Sequence, residues 1–362
     1  MKLNNHERKI IEILKKNPFV NQQFIANELS LSRPAVANMI SGLQDKGYIL
    51  GKPYLLRTEK YITCVGGANL DYIFRLEQEL MMKTSNPVIS SKSYGGVIRN
   101  VAENLARLNH KVSLISVIGD DLAGQDLIEH SRKLMEVFAV DQLPYEKTGG
   151  YYSLINTNGD LDIGFADMSI NRLMNRTWVF NHKRDLILSD WIICDTNVAK
   201  DGLEALIEFS RNESIKLAII GVSGPKMKHL PLDLKLVDVL ICNADETQSY
   251  FQTDTLNLET LCQLWLDKGI KKVIVTKGKD GCVHGEDKSI HYRPSIDVKE
   301  ESIKDVTGAG DAFSAALMHG LISGEDLATS VLFGTRSAAY TIQSTSSVNP
   351  NLSISLLKKE IN

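Results

Sequence analysis

The 362-residue chain predicts an α/β protein in two parts. Residues 1–57 read as a small α+β module, and residues 58–362 as a parallel sheet sandwiched between helices with a small β lid. Three observations predict this. Apolar stripes at helical spacing fill the first 50 or so residues, short apolar runs alternate with amphipathic stretches from Tyr61 onward, and formal charge divides at the same place. Residues 1–60 carry ten basic and five acidic side chains and the remainder 31 and 39, so a total of −3 conceals +5 in front and −8 behind. Opposite signs in adjoining parts point to two different partners.

A composition of 43% hydrophobic residues with 25 Gly and 9 Pro excludes disordered and fibrous chains. No apolar run approaches the roughly 18–20 residues that span a bilayer, and Met1 to His6 leads into a charged segment without an apolar signal core. Cys64, Cys194, Cys242, Cys262 and Cys282 are scattered, with neither a C-x-x-C pair nor His at ligand spacing. The expectation is a reduced cytoplasmic protein with no membrane partner and no structural zinc.

The front module reads as three helices and a hairpin. Ile10, Ile11, Ile13 and Leu14 form the first apolar stripe, and Asn21 is placed to cap a second helix holding Phe24, Ile25 and Leu29. Ser32 can cap a third helix, with Pro34 tolerated in its first turn and Val36, Met39, Ile40 and Leu43 on one face. Gly47 can end that helix in a left-handed turn. Tyr48–Leu50 and Tyr54–Leu56 then flank Gly51-Lys52-Pro53 as a small wing.

In the large domain, buried strands are expected at 62–66, 112–118, 191–194, 217–220, 237–242 and 273–276. Helices are expected at 100–108, 122–135, 203–209 and 258–266. Such alternation indicates a parallel sheet covered on both faces, whose ligands bind beyond the carboxyl ends of the strands. Tyr151–Ile155 and Ile163–Ala166 flank Asn158-Gly159-Asp160 and read instead as a hairpin of the lid.

The segment Asp305-Val306-Thr307-Gly308-Ala309-Gly310-Asp311-Ala312-Phe313 opens an apolar helix. Two glycines at a helix start let consecutive N–H groups face one hollow, which suits a transferring phosphoryl group. Asp311 in the same turn can take a proton from an attacking hydroxyl.

This turn resembles the C-terminal signature of the ribokinase-like, or PfkB, family of carbohydrate kinases. Gly95-Gly96-Val97-Ile98-Arg99-Asn100-Val101-Ala102 is similar to that family's glycine-pair signature, and Val117–Gly124 to its next block. Asn243-Ala244-Asp245-Glu246 matches its N-x-x-E element, and Val275–Gly281 its nucleotide-side strand and turn. The motifs stand in family order across residues 61–353. The resemblance implies a ribokinase-like fold, ATP, Mg²⁺ with a monovalent cation such as K⁺, and a homodimer. By it, Asp71 holds sugar hydroxyls, Gly95 and Gly96 let the backbone approach the sugar, and Asn100 binds a ring-side hydroxyl. Asn243 and Glu246 order Mg²⁺ and its waters, with Glu246 acting through water. Thr276, Gly278 and Thr307 line the ATP site, Asp311 is the base, and Gly308, Ala309 and Gly310 stabilise the moving charge. The plainer readings of these residues are a helix cap for Asn243, a strand end for Asp71 and a simple turn for the glycines.

Within the family the chain is similar to the pseudouridine kinases, on Arg99 before Asn100, Gly66–Asp71, Ala166-Asp167-Met168, Cys194–Asn197, Ser223 with Lys226, and Asn349–Ser353. That implies phosphorylation of a nucleoside 5′-hydroxyl, with Asn69, Tyr151, Asp167, Ser223 and Lys226 around ribose or base; kinases of ribose, uridine or fructose type are the alternative. There are departures: Ile220-Gly221 replaces Asp-Pro, Ile98 stands where Gly is common, and Asn109 replaces Gly.

The front module resembles a bacterial winged helix-turn-helix, which implies double-stranded DNA as a partner. Ser32, Arg33 and Asn38, with Ala37 and Ser41, would face the major groove, while Lys46 and Lys52 would meet phosphates. A dimerisation cap, or a regulator that keeps the kinase fold as a ligand sensor, are the competing readings.

Overall fold

The computed structural model describes residues 3–51, 61–287 and 289–359. The first helices are α1 (Asn5–Lys16), α2 (Gln22–Leu29) and α3 (Arg33–Asp45). Each begins where its sequence supplies a cap: the side chains of Asn4, Asn21 and Ser32 accept the N–H groups of Glu7, Phe24 and Ala35. Gly47 follows α3 at φ 77°, the expected left-handed stop. Ile10, Leu14, Ile25, Val36, Ile40, Leu43 and Ile49 form their own small core. The second half of the expected wing, with Lys52, lies outside the described residues, as does the expected boundary at 57/58.

The large domain follows as β1 (Tyr61–Val65), β2 (Asn69–Leu76), β3 (Val88–Gly95), α4 (Val97–Arg107), β4 (Val112–Gly119), α5 (Leu122–Ser131) and β5 (Glu136–Leu143). Next come β6 (Gly149–Ile155), β7 (Leu161–Asp167), α6 (Arg176–Asn181), α7 (Lys183–Leu186), β8 (Ser189–Asp195), α8 (Lys200–Glu213), β9 (Lys216–Ile220) and α9 (Gly224–Met227). The remainder is β10 (Val239–Asn243), α10 (Ala244–Phe251), α11 (Leu258–Asp267), β11 (Lys272–Thr276), β12 (Cys282–Glu286), β13 (Ser289–Arg293), α12 (Ala309–Ile322), α13 (Leu327–Thr341) and α14 (Ile354–Lys358).

Among the described residues the main sheet has nine strands in the order β13-β12-β11-β10-β9-β8-β1-β4-β5. It is parallel from β11 to β5, with β12 and β13 added antiparallel at one edge. Two apolar clusters cover its faces. One joins Leu203, Leu206 and Trp265 to Ile192 and Val273, and the other joins Ile98, Leu105 and Leu317 to Leu114 and Ile193. Burial on both sides accounts for the near-continuous apolar runs of the inner strands.

A second sheet, β3-β2-β6-β7, forms the lid. The expected hairpin is its β6–β7 pair, turning at Gly159 with φ 92°. Strands β2 and β3 were not expected, nor were β5 and the β12–β13 hairpin. Asn109, where a glycine is usual, takes φ 64°, a left-handed conformation that Asn tolerates best among residues with a side chain. All five cysteines are free and buried. Among the described residues no helix is long and apolar enough to cross a membrane.

Candidate active site

The carboxyl ends of β11, β10, β9, β8 and β1 follow one another along the main sheet, and the start of α12 is joined to α4 beside them through the Asn100–Asp311 hydrogen bond. The ends of β1 and β8 sit beside the lid, those of β10 and β11 lie on the far side, and β9 lies between.

Asp311 stands in the first turn of α12, and the buried Asn100 of α4 donates its Nδ2–H to Asp311 Oδ2 at 2.7 Å. Burial pushes the Asp311 carboxyl up to about 7 against the pull of Asn100 and the Arg99 charge, while Asp195 and Asp71 add to the push. A carboxylate at that value can receive a proton near neutrality. Gly308 holds φ 80° at the head of α12, and a Cβ there would meet the Ser347 carbonyl oxygen at 2.0 Å. Only glycine fits that position. A Cβ on Gly310 would meet nothing within 4 Å. The Ala312 N–H is used by Gly308 O at 2.9 Å, whereas among the described residues the N–H groups of Gly310 and Asp311 have no protein acceptor. By helix geometry these donors point out of the N-terminus into that open space. Thr307, whose N–H is turned onto Asp305 Oδ1, stands exposed at its rim.

On the lid side, Asp71 of β2 takes the Asn69 amide at 2.7 Å, and burial raises its carboxyl to about 6. The glycine pair leaves room here for the protein's own atoms. Asp71 occupies the space over Gly95, where a Cβ would come within 2.3 Å of its carboxylate, and a Cβ on Gly96 (φ 96°) would meet the Gly67 carbonyl oxygen at 2.4 Å. Tyr151 pairs with Asp71 in the β2–β6 register and so shares its face. Asp167 pairs with Gly150, on the opposite side of the pleat with Tyr152 and Phe165, and is exposed. Tyr151 and Asp167, both expected around ribose or base, thus lie on opposite faces of the lid sheet.

Two groups at the cleft carry no role in the sequence reading. Asp195, fully buried at the end of β8, accepts N–H groups from Gly67 at 3.3 Å, Ile98 at 3.2 Å and Asn197 at 3.0 Å, and the Asn197 amide at 3.1 Å. Burial raises it to about 6, with those donors pulling it back. Arg99, 1% exposed, donates to Gly95 O, Tyr94 O, Glu103 Oε2 and Asn100 Oδ1. A charged residue closing the buried run Trp191–Cys194 was the available signal for Asp195. Arg99 stands in the sequence reading only as the residue before Asn100 in the glycine-pair signature, and nothing local signals its buried partners. Ser223 precedes α9, and Lys226 within it is half-buried; burial lowers its ammonium, while the nearby Asp195 charge raises it.

On the far side, Asn243 and Glu246 form a reciprocal cap: Asn243 Oδ1 accepts the Glu246 N–H at 2.7 Å, and Glu246 Oε2 accepts the Asn243 N–H at 2.9 Å. The cap reading of Asn243 is thus realised. Burial raises the Glu246 carboxyl, and among the described residues its Oε1 accepts no hydrogen bond. Gly221 makes room for it, since a Cβ there would fall 2.3 Å from Glu246 Oε2. Among the described residues no group of three or more His, Cys, Asp or Glu could hold a metal by itself. One spare carboxylate oxygen fits Mg²⁺ held through water and phosphates, which is how that ion is usually bound. Thr276 lies beside Asn243 in register, its hydroxyl on Cys242 O at 3.4 Å, and Gly278 (φ 52°) opens onto free space.

In the front module, Arg33, Asn38 and Ser41 are exposed on α3; Asn38 and Ser41 lie away from the buried Val36, Ile40 and Leu43, whereas Arg33 is exposed at the start of the helix on their side. Ser32 is also exposed, but its hydroxyl serves as the cap of α3. Lys46, expected to meet phosphate, pairs with Glu7 at 2.6 Å.

Known proteins give the same division. The profile of the pfkB family carbohydrate kinases matches residues 59–354, and that of winged helix-turn-helix DNA-binding domains matches residues 3–49. The chain is 28% identical over 356 residues to the uncharacterized sugar kinase YeiI of Escherichia coli, covering 97% of each. It is also 28% identical over 305 residues to the pseudouridine kinase of Escherichia coli, covering 83% of this chain and 96% of that one. A carbohydrate kinase from Agrobacterium tumefaciens superposes with TM-score 0.71 at 27% identity, covering 83% of this chain and 96% of that one.

Proposed function

The chain belongs to the pfkB family of carbohydrate kinases and carries an N-terminal winged helix-turn-helix domain, and from that premise we propose that it transfers phosphate from ATP to the 5′-hydroxyl of a nucleoside, pseudouridine. The observation that carries the chemistry is the Asn100–Asp311 bond of 2.7 Å beside two unused N–H groups at the head of α12. The nucleoside reading is supported by the motifs around Arg99, Asp195 and Lys226 and by the likeness to a pseudouridine kinase.

In this reading Asp311 accepts the hydroxyl proton as the oxygen attacks in line, and the Gly308-Ala309-Gly310 turn faces the charge that develops. Asn69, Asp71, Asn100 and Tyr151 hold the sugar, with Gly95 and Gly96 shaping the backbone beside it, Ser223 and Lys226 bordering the ligand from the start of α9, and Asp167 reaching the base from the other face of the lid. Asn243, Thr276, Gly278 and Thr307 line the nucleotide side, and Glu246 orients a water of Mg²⁺. Bound MgATP supplies the phosphoryl group and a metal that neutralises its oxygens. A monovalent cation such as K⁺ and a homodimer belong to the same proposal, and K⁺ titration of the rate and sedimentation of the full chain test them. Turnover with pseudouridine, uridine, ribose and fructose tests the substrate. A kcat/KM for uridine above that for pseudouridine overturns pseudouridine as the substrate, and one for ribose or fructose above both overturns the nucleoside assignment; either result leaves the kinase.

The exposed Arg33, Asn38 and Ser41 on a module of formal charge +5 over residues 1–60 favour a second function, binding of double-stranded DNA through residues 1–57. Its affinity for the chain's own upstream DNA is expected to fall steeply with salt. Absence of salt-sensitive binding, with and without nucleoside, overturns this function.

A further inference from the structure

We propose that Arg99 is a positioning residue for the catalytic carboxyl, fixing the Asn100 amide so that its N–H faces Asp311 while pinning the hinge where the lid strand β3 enters α4. The inference rests on Asp311 being the base.

The side chain of Arg99 is buried, and its polar atoms are all directed. Nη2 donates to Asn100 Oδ1 at 2.5 Å and to Tyr94 O at 3.1 Å, Nε donates to Gly95 O at 3.1 Å, and Nη1 donates to Glu103 Oε2 at 2.8 Å. An amide offers one acceptor end and one donor end. With Arg99 bound at Oδ1, the Asn100 Nδ2 is the end left for Asp311, and it lies 2.7 Å from Oδ2. Without that anchor the amide can turn over and present its oxygen to a carboxylate, which repels it. A guanidinium fork meets these acceptors at fixed angles, which the compact ammonium of lysine cannot reproduce.

Glu103 fixes the other end. It also accepts Arg107 at 2.7 Å and His130 of α5 at 3.2 Å, so the orientation of Arg99 is held from two helices. The Tyr94 ring stacks on His130 at 3.9 Å, and the Tyr94 hydroxyl bonds Asp126, which also holds Lys92. The end of β3 is thereby tied to α5 as well as to Arg99. The carbonyls of Tyr94 and Gly95 belong to the segment that carries Gly95 beneath Asp71, so a single cation sets both the lid hinge and the base.

The experiment compares R99K, R99M, E103Q and D311N in the full chain, with MgATP and whichever of pseudouridine, uridine, ribose or fructose the wild type turns over best. Expected for R99K and R99M is a loss of about 10- to 100-fold in kcat, the usual effect of a catalytic group misplaced by about 1 Å, with the KM for ATP within about threefold. The groups facing Asp311 are Asn100 and Arg99 from α4, Asp71 from β2 and Asp195 from β8. Removing the one cation in R99M moves the acid limb of the pH–rate profile to higher pH. R99K keeps the charge and leaves that limb in place while kcat falls, and a merely structural role would not separate the two. Titration of the ¹³Cγ signal of Asp311, assigned by its loss in D311N, reads the same shift without any substrate. An R99M enzyme with unchanged kcat, acid limb and ¹³Cγ titration overturns the proposal. If R99M fails to fold, E103Q and R99K carry the test, and wild-type kcat in both overturns it. Full activity in D311N refutes the base assignment itself, whereas an inactive D311N beside a normal R99M refutes only the role of Arg99.

Discussion

On the side of the cleft formed by β1, β8 and the lid, Asp71, Asn100, Asp195 and Asp311 already have protein partners before any ligand arrives. Toward the N–H groups at the head of α12 and the ends of β10 and β11, among the described residues, Gly310 N–H, Asp311 N–H and Glu246 Oε1 have none, and Gly278 opens onto free space. The first side is ordered in advance, which lowers the cost of orienting a hydroxyl but forces three carboxyls into poorly solvated positions. The second is left for the ligand to complete, as suits a phosphate that brings its own charge and metal. Ordering and openness are thus divided between acceptor and donor of the phosphoryl group.

Four measurements break or sharpen this contrast. The largest effect is expected from D311N, which keeps the side-chain shape but removes the proton acceptor. Its kcat should fall by about 10²–10⁴-fold, the usual contribution of a positioned base. In the wild type, activity should decline as pH falls through about 7, where the Asp311 carboxyl becomes protonated. Next, one substitution made on each side should fail differently. G96A forces a side chain onto φ 96° and against the Gly67 carbonyl, and chemical denaturation should show a loss of about 2–3 kcal/mol. G310A adds a methyl where space is open, so stability should stay within about 0.5 kcal/mol. The KM for ATP should nevertheless rise about tenfold, the effect of about 1.4 kcal/mol of lost binding. If G310A destabilises as G96A does, the two sides are not different in kind.

The smallest effect is a pH dependence of stability. The folded carboxyl of Asp311 is raised from 3.8 to about 7, so the native state holds more protons than the unfolded chain between those values. Stability from this group is present at low pH and lost as pH rises through about 7. D311N escapes that loss. Its stability relative to wild type should grow by about 1–2 kcal/mol from pH 4 to pH 7 and then level off, a discounted share of the 1.36 kcal/mol per pKa unit. Paired denaturation curves at pH 5 and pH 8 check the sign.

What could be read from the residues alone was whatever is encoded locally. The turn at Gly308–Asp311 is specified by glycine positions within one helix start, and the β6–β7 hairpin by Asn158-Gly159 between apolar runs. The caps at Asn21 and Ser32 are three-residue matters, and they were legible too. The lid strand β3 was not, because Val88–Gly95 is mostly exposed and lacks an apolar alternation. That Asp167 and Tyr151 fall on opposite faces of the lid was not legible either, because the pleat side depends on pairing with β6, and a shift of one residue reverses every side chain. The Asn100–Asp311 bond joins residues 211 positions apart, and no local pattern marks it. The roles of Arg99 and Asp195 arise only from packing, since each is defined by the backbone groups that surround it.

The five cysteines lie at 0–3% exposure in the large domain, and residues 1–60 contain none. Burial drives every one of these thiols upward, Cys262 and Cys282 to about 12, so in the folded protein they are poor nucleophiles. A thiol reagent therefore acts as a clock for opening of one half of the molecule and is blind to the other. Ligands that bind the large domain should slow that clock through their linkage to its native state. DNA, the ligand proposed for the front module, should leave its rate unchanged except through the Arg184–Asp45 contact of 3.0 Å that joins the two domains, so a single label reads their coupling without cutting the chain.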